Sequence, residues 1–211
     1  MPITGNPLSR PSDTSAATAK TSDRPLRADA KRNRDRLLNV AARAFATDGV
    51  DTSLEGIARE AGVGIGTLYR HFPTREALIE AVYRRELEAL VSAAETLSAT
   101  RSPDEALAGW MQRFVDYIAT KRGMKDSLKL LIESNSPLFA EVSGLIPRTL
   151  TDLLDKAVAA GSVRADVDSA DVLHALSSIY SASDGPDWTE RSRRLVRLLM
   201  DGLRYGAPNP G

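Results

Sequence analysis

The sequence predicts an all-α protein. Apolar residues recur at helical spacing from about residue 29 onward, and no stretch alternates apolar and polar residues as a half-buried strand would. The length of 211 residues and the apolar share of 42% allow a real hydrophobic core. No segment is long and apolar enough to span a bilayer, so we expect no membrane partner.

Residues 1–26 are expected to form a disordered tail. They are rich in Ser, Thr, Ala and Pro and contain no aromatic residue. Such a segment cannot bury enough apolar surface to offset its ordering entropy. It also lacks the apolar central block of a signal peptide, so we expect a cytoplasmic location.

Capping residues define the first two helices. The first begins near Asp29 and ends at Asp48, just before a glycine. Thr52 or Ser53 caps a short second helix, and Glu55 follows Thr52 at the spacing of a capping box.

The third and fourth helices follow from the next break and the next cap. Gly62 ends the second helix, because glycine adopts a left-handed backbone readily. A short third helix runs through Leu68 and Tyr69, and Pro73-Thr74 opens a long fourth helix.

Five more helices are predicted in the rest of the chain. They begin near Ser102-Pro103, before Leu128, and near Pro137, Asp168 and Asp187. The first of them is expected to end at Gly123. We expect the helix over residues 137–160 to bend or break at Pro147, since proline removes a backbone donor. Glu190 is expected to support the cap at Asp187.

The net charge of zero hides an asymmetry along the chain. Residues 1–78 carry twelve basic and nine acidic side chains, whereas residues 79–211 carry sixteen and nineteen. The basic excess lies in Arg24, Arg27, Lys31, Arg32, Arg34 and Arg36. Such a run is either a solvated helix face or an electrostatic arm beside a nucleic-acid-binding motif.

Residues 52–72, TSLEGIAREAGVGIGTLYRHF, have the spacing of a helix–turn–helix. Ile57 supplies the apolar centre of its first helix, and Ala58 is small enough for the second helix to cross there. The glycine four residues later suits the turn. Val63 and Leu68 are spaced to anchor the second helix. The alternative is a generic αα-hairpin, but so many fitting positions favour the DNA-binding motif.

This segment resembles the signature of the tetracycline-repressor (TetR) family. The resemblance rests on Ile57-Ala58, Ala61-Gly62-Val63, Gly66-Thr67-Leu68-Tyr69 and His71-Phe72, and it extends to Thr74, Arg75, Ala77 and Leu78. It implies a homodimeric repressor that binds double-stranded DNA and is released by a small-molecule effector. It also implies a three-helix DNA-binding domain over residues 27–78 and a helical effector-binding and dimerisation domain over residues 79–211.

Candidate DNA contacts follow from the resemblance, residue by residue. Thr52 and Ser53 lie at the start of the second helix, near an expected phosphate. Tyr69, His71 and Arg75 match family positions that contact the DNA backbone. The leading edge of the recognition helix comprises Gly64, Ile65, Gly66 and Thr67, with Arg70 as a further polar reader. We expect Gly66 to let the backbone approach the major groove and Ile65 to press against a thymine methyl. The basic stretch from Arg24 to Arg36 joins the flexible tail to the first helix and would serve as an electrostatic arm beside the recognition helix. It includes Arg27 and Arg32, and Arg24 and Arg27 could reach an adjacent minor groove.

A candidate effector site lies after residue 100. Its apolar stripe comprises Trp110, Phe114, Tyr117, Met124, Leu128, Leu131 and Leu150. His174 lies on a buried face by periodicity and is a candidate polar partner. Ordinary core packing is the alternative for this stripe, and a cavity open to solvent would favour the ligand site.

The last two helices are predicted to form the dimer interface. Their apolar stripes comprise Leu173, Leu176 and Tyr180, and then Leu195, Leu199 and Leu203. Both stripes could instead face the core of their own chain. We favour the interface because no later helix is expected to cover an outward face.

No enzyme motif is found, because the sequence lacks a phosphate-binding glycine loop and a nucleophile motif. The absence of cysteine and the presence of only two histidines lead us to expect no metal site and no cofactor. The alternative to a ligand-responsive repressor is a constitutive helical DNA-binding protein whose C-terminal half only dimerises.

Overall fold

A computed structural model describes Met1 and residues 23–125, 127–129, 144–180, 185 and 187–208. Within these residues the helices are α1 (Asp23–Asp48), α2 (Leu54–Glu60), α3 (Ile65–His71), α4 (Arg75–Thr100), α5 (Pro103–Gly123), α6 (Leu145–Ala159), α7 (Ser169–Tyr180) and α8 (Trp188–Arg204). The described residues contain no strand, so the all-α prediction is confirmed. None of these helices is long and apolar enough to cross a membrane.

Two predicted boundaries need correction. α1 begins at Asp23, so residues 23–26 belong to a helix and not to the tail. α6 begins at Leu145, which places Pro147 in the first turn, where a missing backbone donor costs little. The predicted helix through Leu128 to Leu131 lies largely outside the described residues, as do residues 137–143.

The capping of α2 and α8 differs in part from the prediction. Ser53 is the N-cap of α2, and its hydroxyl accepts from the Gly56 N–H at 3.2 Å. The Thr52 hydroxyl instead donates to the Gly49 carbonyl at 3.0 Å, so no capping box joins Thr52 to Glu55. Asp187 is the N-cap of α8, but no side-chain cap hydrogen bond forms there. The predicted support from Glu190 is therefore wrong.

α5 is the central helix, packed against α1, α4, α6, α7 and α8. Its start matches the prediction, with the capping box of Ser102 and Pro at the first helical position. Trp110 is fully buried, and its indole N–H donates to the Leu90 carbonyl of α4 at 2.9 Å. The Tyr117 hydroxyl donates to the Tyr83 hydroxyl of α4 at 3.1 Å. These bonds fix α5 against α4.

The last turn of α5 lies directly against the last turn of α1. A Cβ added at Gly123 would lie 1.7 Å from the main-chain oxygen of Phe45, so no larger residue fits there without a shift. A second link joins α1 to α4, since Arg85 donates to the Asp35 carbonyl at 2.8 Å and to the Asn39 amide oxygen at 2.7 Å. α1 is thus held against both α5 and α4.

Candidate nucleic-acid interface

The turn between α2 and α3 is built on Gly62. This residue has a φ of 70°, in the left-handed region that favours glycine. Its N–H donates to the Arg59 carbonyl at 3.1 Å, and the Val63 N–H donates to the Ala58 carbonyl at 3.0 Å. These bonds satisfy carbonyls at the end of α2 and set the angle at which α3 departs. The predicted turn residue is confirmed.

The core holds α3 by one face. Leu68 is fully buried, and Val63 and Ile65 pack against the core while partly exposed. Ile65 therefore anchors α3 to the core with part of its side chain. Its expected contact with a thymine methyl stays a prediction. Phe72 is buried.

The opposite face of α3 is open. Gly66, Tyr69 and Arg70 are exposed, and 45% of Tyr69 is accessible although it is a large aromatic residue. A Cβ added at Gly64 or Gly66 would meet nothing within 4 Å. The main chain at the start of α3 can thus approach another molecule closely, with Thr67 half-buried beside it.

Basic residues of α1 lie at both ends of α3. The guanidinium of Arg34 lies 5.5 Å from the centroid of the Phe72 ring, at the end of α3. A guanidinium nitrogen of Arg36 lies 3.9 Å from the position of a Cβ on Gly62, at the turn before α3. The sequence analysis placed both arginines in the basic run with a possible role as an electrostatic arm. It did not name them individually as DNA contacts, because their proximity to α3 depends on how α1 crosses it.

The expected flexible basic arm is corrected. Arg27 lies on the exposed surface of α1 and not in a flexible connection before it. Arg32 lies on the same exposed surface, within the first helix as predicted. Arg32 also forms an ion pair with Asp29 on the same helix face, so its charge is partly compensated.

Other predicted phosphate contacts have structural partners in the free protein. Arg75 donates from Nη1 to the carbonyls of Val50 and Thr52, the latter at 2.8 Å, and so fixes the loop before α2. His71 is half-buried, and its ring centroid lies 6.1 Å from that of Phe72. Ser53 is exposed and caps α2.

A cavity of about 250 Å³ opens between α5, α6 and α7. Its walls are formed by Phe114, Tyr117, Ile118, Lys121, Ile146, Pro147, Leu173 and Ser177. Burial raises the pKa of the Tyr117 phenol, with a further contribution from Tyr83, and burial lowers the pKa of Lys121. The cavity is therefore a largely apolar environment with one basic group.

The predicted effector residues divide into four groups. Phe114 and Tyr117 line the cavity, whereas Trp110, Met124, Leu128 and Leu150 are buried in the core. Leu131 lies outside the described residues. His174 is exposed, so its predicted buried position is wrong. Lys121 and Ser177 were missed, although each lies four residues after an apolar lining residue and so shares its helix face.

α7 and α8 form an apolar groove of about 490 Å³ on the surface. Its walls are formed by Arg164, Val167, Ala175, Ile179, Leu195, Leu198, Leu199, Gly202 and Leu203. Leu198 is 67% exposed and Leu195 is 37% exposed. Of the predicted interface residues, Leu176 and Leu203 are buried in the monomer, Leu199 is half-buried, and Leu173 lines the cavity of α5. The side chain of Tyr180 is outside the described set, and the sequence analysis missed Leu198.

The architecture defines this protein as a helix–turn–helix DNA-binding regulator. Residues 37–82 match the family model of bacterial regulatory proteins of the tetR family. Residues 102–205 match the model of the C-terminal domain of SbtR-like transcriptional regulators. The chain belongs to the TetR family of transcriptional regulators.

Solved structures agree with this assignment over most of the chain. The TetR transcriptional regulator SCO0520 from Streptomyces coelicolor is 47% identical, with a TM-score of 0.75, over 82% of this chain and 99% of that one. The TetR regulatory protein from Mycobacterium vanbaalenii is 41% identical, with a TM-score of 0.68, over 85% and 99%. An HTH-type transcriptional regulator of Staphylococcus aureus is 41% identical over 68 residues, which are 32% of this chain and 37% of that relative.

Proposed function

We propose that this protein is a ligand-responsive repressor that binds a palindromic operator as a homodimer and leaves it when a small molecule binds. The observation that carries the proposal is a solvent-open cavity behind a DNA-binding unit with an exposed recognition helix. A constitutive DNA-binding protein has no need of such a cavity. The cavity therefore favours the ligand-responsive function over the constitutive alternative.

The DNA contacts of the proposal lie on the open face of α3. Gly66 and Thr67 would face the base edges, where Thr67 can donate or accept a hydrogen bond. Tyr69 and Arg70 would contact the phosphates, because a phenol and a guanidinium both donate to phosphate oxygens. Arg34 and Arg36 extend the basic surface on either side of α3 and would add affinity that depends on salt.

The proposed dimer uses the groove of α7 and α8. Leu198 presents most of its side chain to solvent in the monomer, at the rim of an apolar groove. A second copy of this face would bury Leu198 of each protomer. The two grooves would then pair about a two-fold axis. Two copies also set two recognition helices about 34 Å apart, or a multiple of that, as a palindrome requires.

The proposal keeps the predicted division of the chain. Residues 27–78 would form the DNA-binding domain and residues 79–211 the effector and dimerisation domain. The long helix α4 runs on from the first into the second, and Tyr83 on it is bonded to Tyr117 beside the cavity.

Selection of DNA from a random duplex library by the full-length protein tests the proposal. We expect the selected sequences to contain an inverted repeat whose half-site centres lie one helical turn, or a multiple, apart. Tyr69→Phe should weaken binding to selected and unrelated duplexes alike, whereas Thr67→Ala should weaken only the selected site. Selection of a single unrepeated half-site, with parental affinity in both variants, would contradict the assignment.

A further inference from the structure

Lys121 and Ser177 supply polar groups to the lining of the cavity between α5, α6 and α7. Among the described residues that line the cavity, Lys121 carries the only charge, and none of them is Asp or Glu. An ammonium group has three N–H donors and no acceptor. Lys121 has an interaction partner within the protein, and the three donors of an ammonium group allow it to bond more than one group.

A second donor lies behind the same wall. Phe114 and Ile118 also line a cavity of about 10 Å³ together with Trp188. The indole N–H of Trp188 is buried and has no hydrogen-bond partner in the part of the chain that the structure describes. An indole nitrogen donates and never accepts. Both donors suit an acceptor oxygen, but of the two only Lys121 lines the larger cavity.

Apart from Lys121 and Ser177, the described lining is mostly apolar. The rings of Phe114 and Tyr117, the side chain of Ile118 and the residues of α6 give walls suited to a hydrocarbon. A volume of about 250 Å³ lies below the usual range for drug-sized ligands, roughly 300–1,000 Å³. At the ~30 Å³ that a water molecule occupies in the liquid, it accommodates roughly eight to ten non-hydrogen atoms.

We propose that this cavity binds a small amphipathic carboxylate, whose anionic oxygens bond Lys121 and whose hydrocarbon part packs against Phe114 and Ile146. The inference rests on the proposed ligand-responsive function, since it names the chemical class of the effector. A partly desolvated ammonium attracts a carboxylate more strongly than a solvated one does, because the local dielectric is lower. A neutral isostere forgoes that attraction, and a cationic isostere is repelled.

Three probes of matched shape test the charge preference. Sodium octanoate, octan-1-ol and octylamine share the same hydrocarbon chain and differ in the charge of the head group. Binding to the full-length protein is measured by isothermal titration calorimetry near pH 7. We expect octanoate to bind at least tenfold more tightly than the alcohol and the amine to bind most weakly.

Two variants assign that preference to a single residue. Lys121→Met keeps an unbranched apolar side chain and removes the ammonium, so it should abolish the preference for octanoate and retain binding of octan-1-ol. Lys125→Met, at an exposed lysine one turn later, should retain the preference. Equal affinities for octanoate and octan-1-ol in the parent, binding of no probe, or an unchanged preference in Lys121→Met would each overturn the proposal.

A separate assay keeps this inference distinct from the proposed function. The affinity for the selected duplex is measured with and without saturating octanoate. Tight octanoate binding at Lys121 without DNA release would support the carboxylate site and contradict the ligand-responsive repressor. DNA release by the alcohol as effectively as by octanoate would support the repressor and contradict the carboxylate site.

Discussion

Replacement of Gly66 by alanine separates folding from DNA binding. Gly66 lies in the first turn of α3, and a Cβ there meets no protein atom within 4 Å. The folded state has room for the methyl group, and alanine loses less backbone entropy than glycine when a helix forms. We expect Gly66→Ala to raise the free energy of unfolding by about 0.5–1 kcal/mol. For a domain of this size this corresponds to a rise in Tm of roughly 1–4 °C.

The effect on DNA should have the opposite sign. The open edge of α3 consists of main chain at Gly66, so the added methyl lies where the proposal places the base edges. Loss of close approach, with its van der Waals contacts and any main-chain hydrogen bond, should weaken binding of the selected duplex about tenfold or more. That ratio corresponds to about 1.4 kcal/mol.

The two effects are measured on the same samples. Thermal unfolding followed by circular dichroism reports stability, and fluorescence anisotropy with a labelled duplex reports affinity. Gly144→Ala serves as the control, because a Cβ at Gly144 also meets nothing within 4 Å and the residue lies at the start of α6. Parental DNA affinity in Gly66→Ala would refute a close approach of DNA at this edge, and a lower Tm would refute the open surroundings of Gly66.

Three further predictions concern stability and assembly. Gly123→Ala should lower the free energy of unfolding, measured by urea denaturation, by about 1–3 kcal/mol, because its Cβ meets main chain at 1.7 Å. Gly109→Ala is the control: its Cβ meets only a flexible leucine side chain at 3.1 Å, so it should cost less. Equal losses in the two variants would contradict this reasoning. Leu198→Glu should give a folded monomer in sedimentation velocity, and a persistent dimer would contradict the use of this face as the dimer interface. Burial opposes ionisation of Asp104, but hydrogen bonds from Arg204 and a serine prevail and lower its pKa, so Asp104→Asn should cost about 1 kcal/mol at pH 7. This stabilisation is present above the unfolded pKa and is lost as the pH falls through the lower folded value, so the difference between Asp104→Asn and the parent should shrink below about pH 4; a constant difference would contradict it.

The local features of the fold could be predicted because each depends on a few adjacent residues. The start of α5 requires a serine, a proline and an acid in consecutive positions, and the turn before α3 requires a glycine with a positive φ. Both were read correctly from the sequence. The start of α1 was missed by six residues, because its first turn has few apolar residues to reveal a period.

Other features depend on contacts between distant segments and were missed. Arg75 bonds carbonyls more than twenty residues away, and nothing in the local pattern predicts that pairing.

The exposed position of His174, in contrast, could have been predicted from the local helical pattern. It lies two positions from both Val172 and Leu176, which are buried, and two helical positions differ by about 200°. The helical wheel thus places it on the opposite face.

Two connections join the candidate effector cavity to the recognition helix. Tyr117 lines the cavity and bonds Tyr83 of α4, the helix that follows α3 after a short turn. Lys121 also lines the cavity, and two residues later Gly123 touches the main chain at the end of α1, which packs against α3. A ligand releases DNA only if it binds the DNA-free conformation more tightly, and coupling free energies of about 1–3 kcal/mol change affinity 5–150-fold. We expect the Tyr117–Tyr83 bond and the contact of Gly123 with α1 to transmit a displacement of α5 to α4 and α1. The reason is that closely packed elements shift as units instead of compressing.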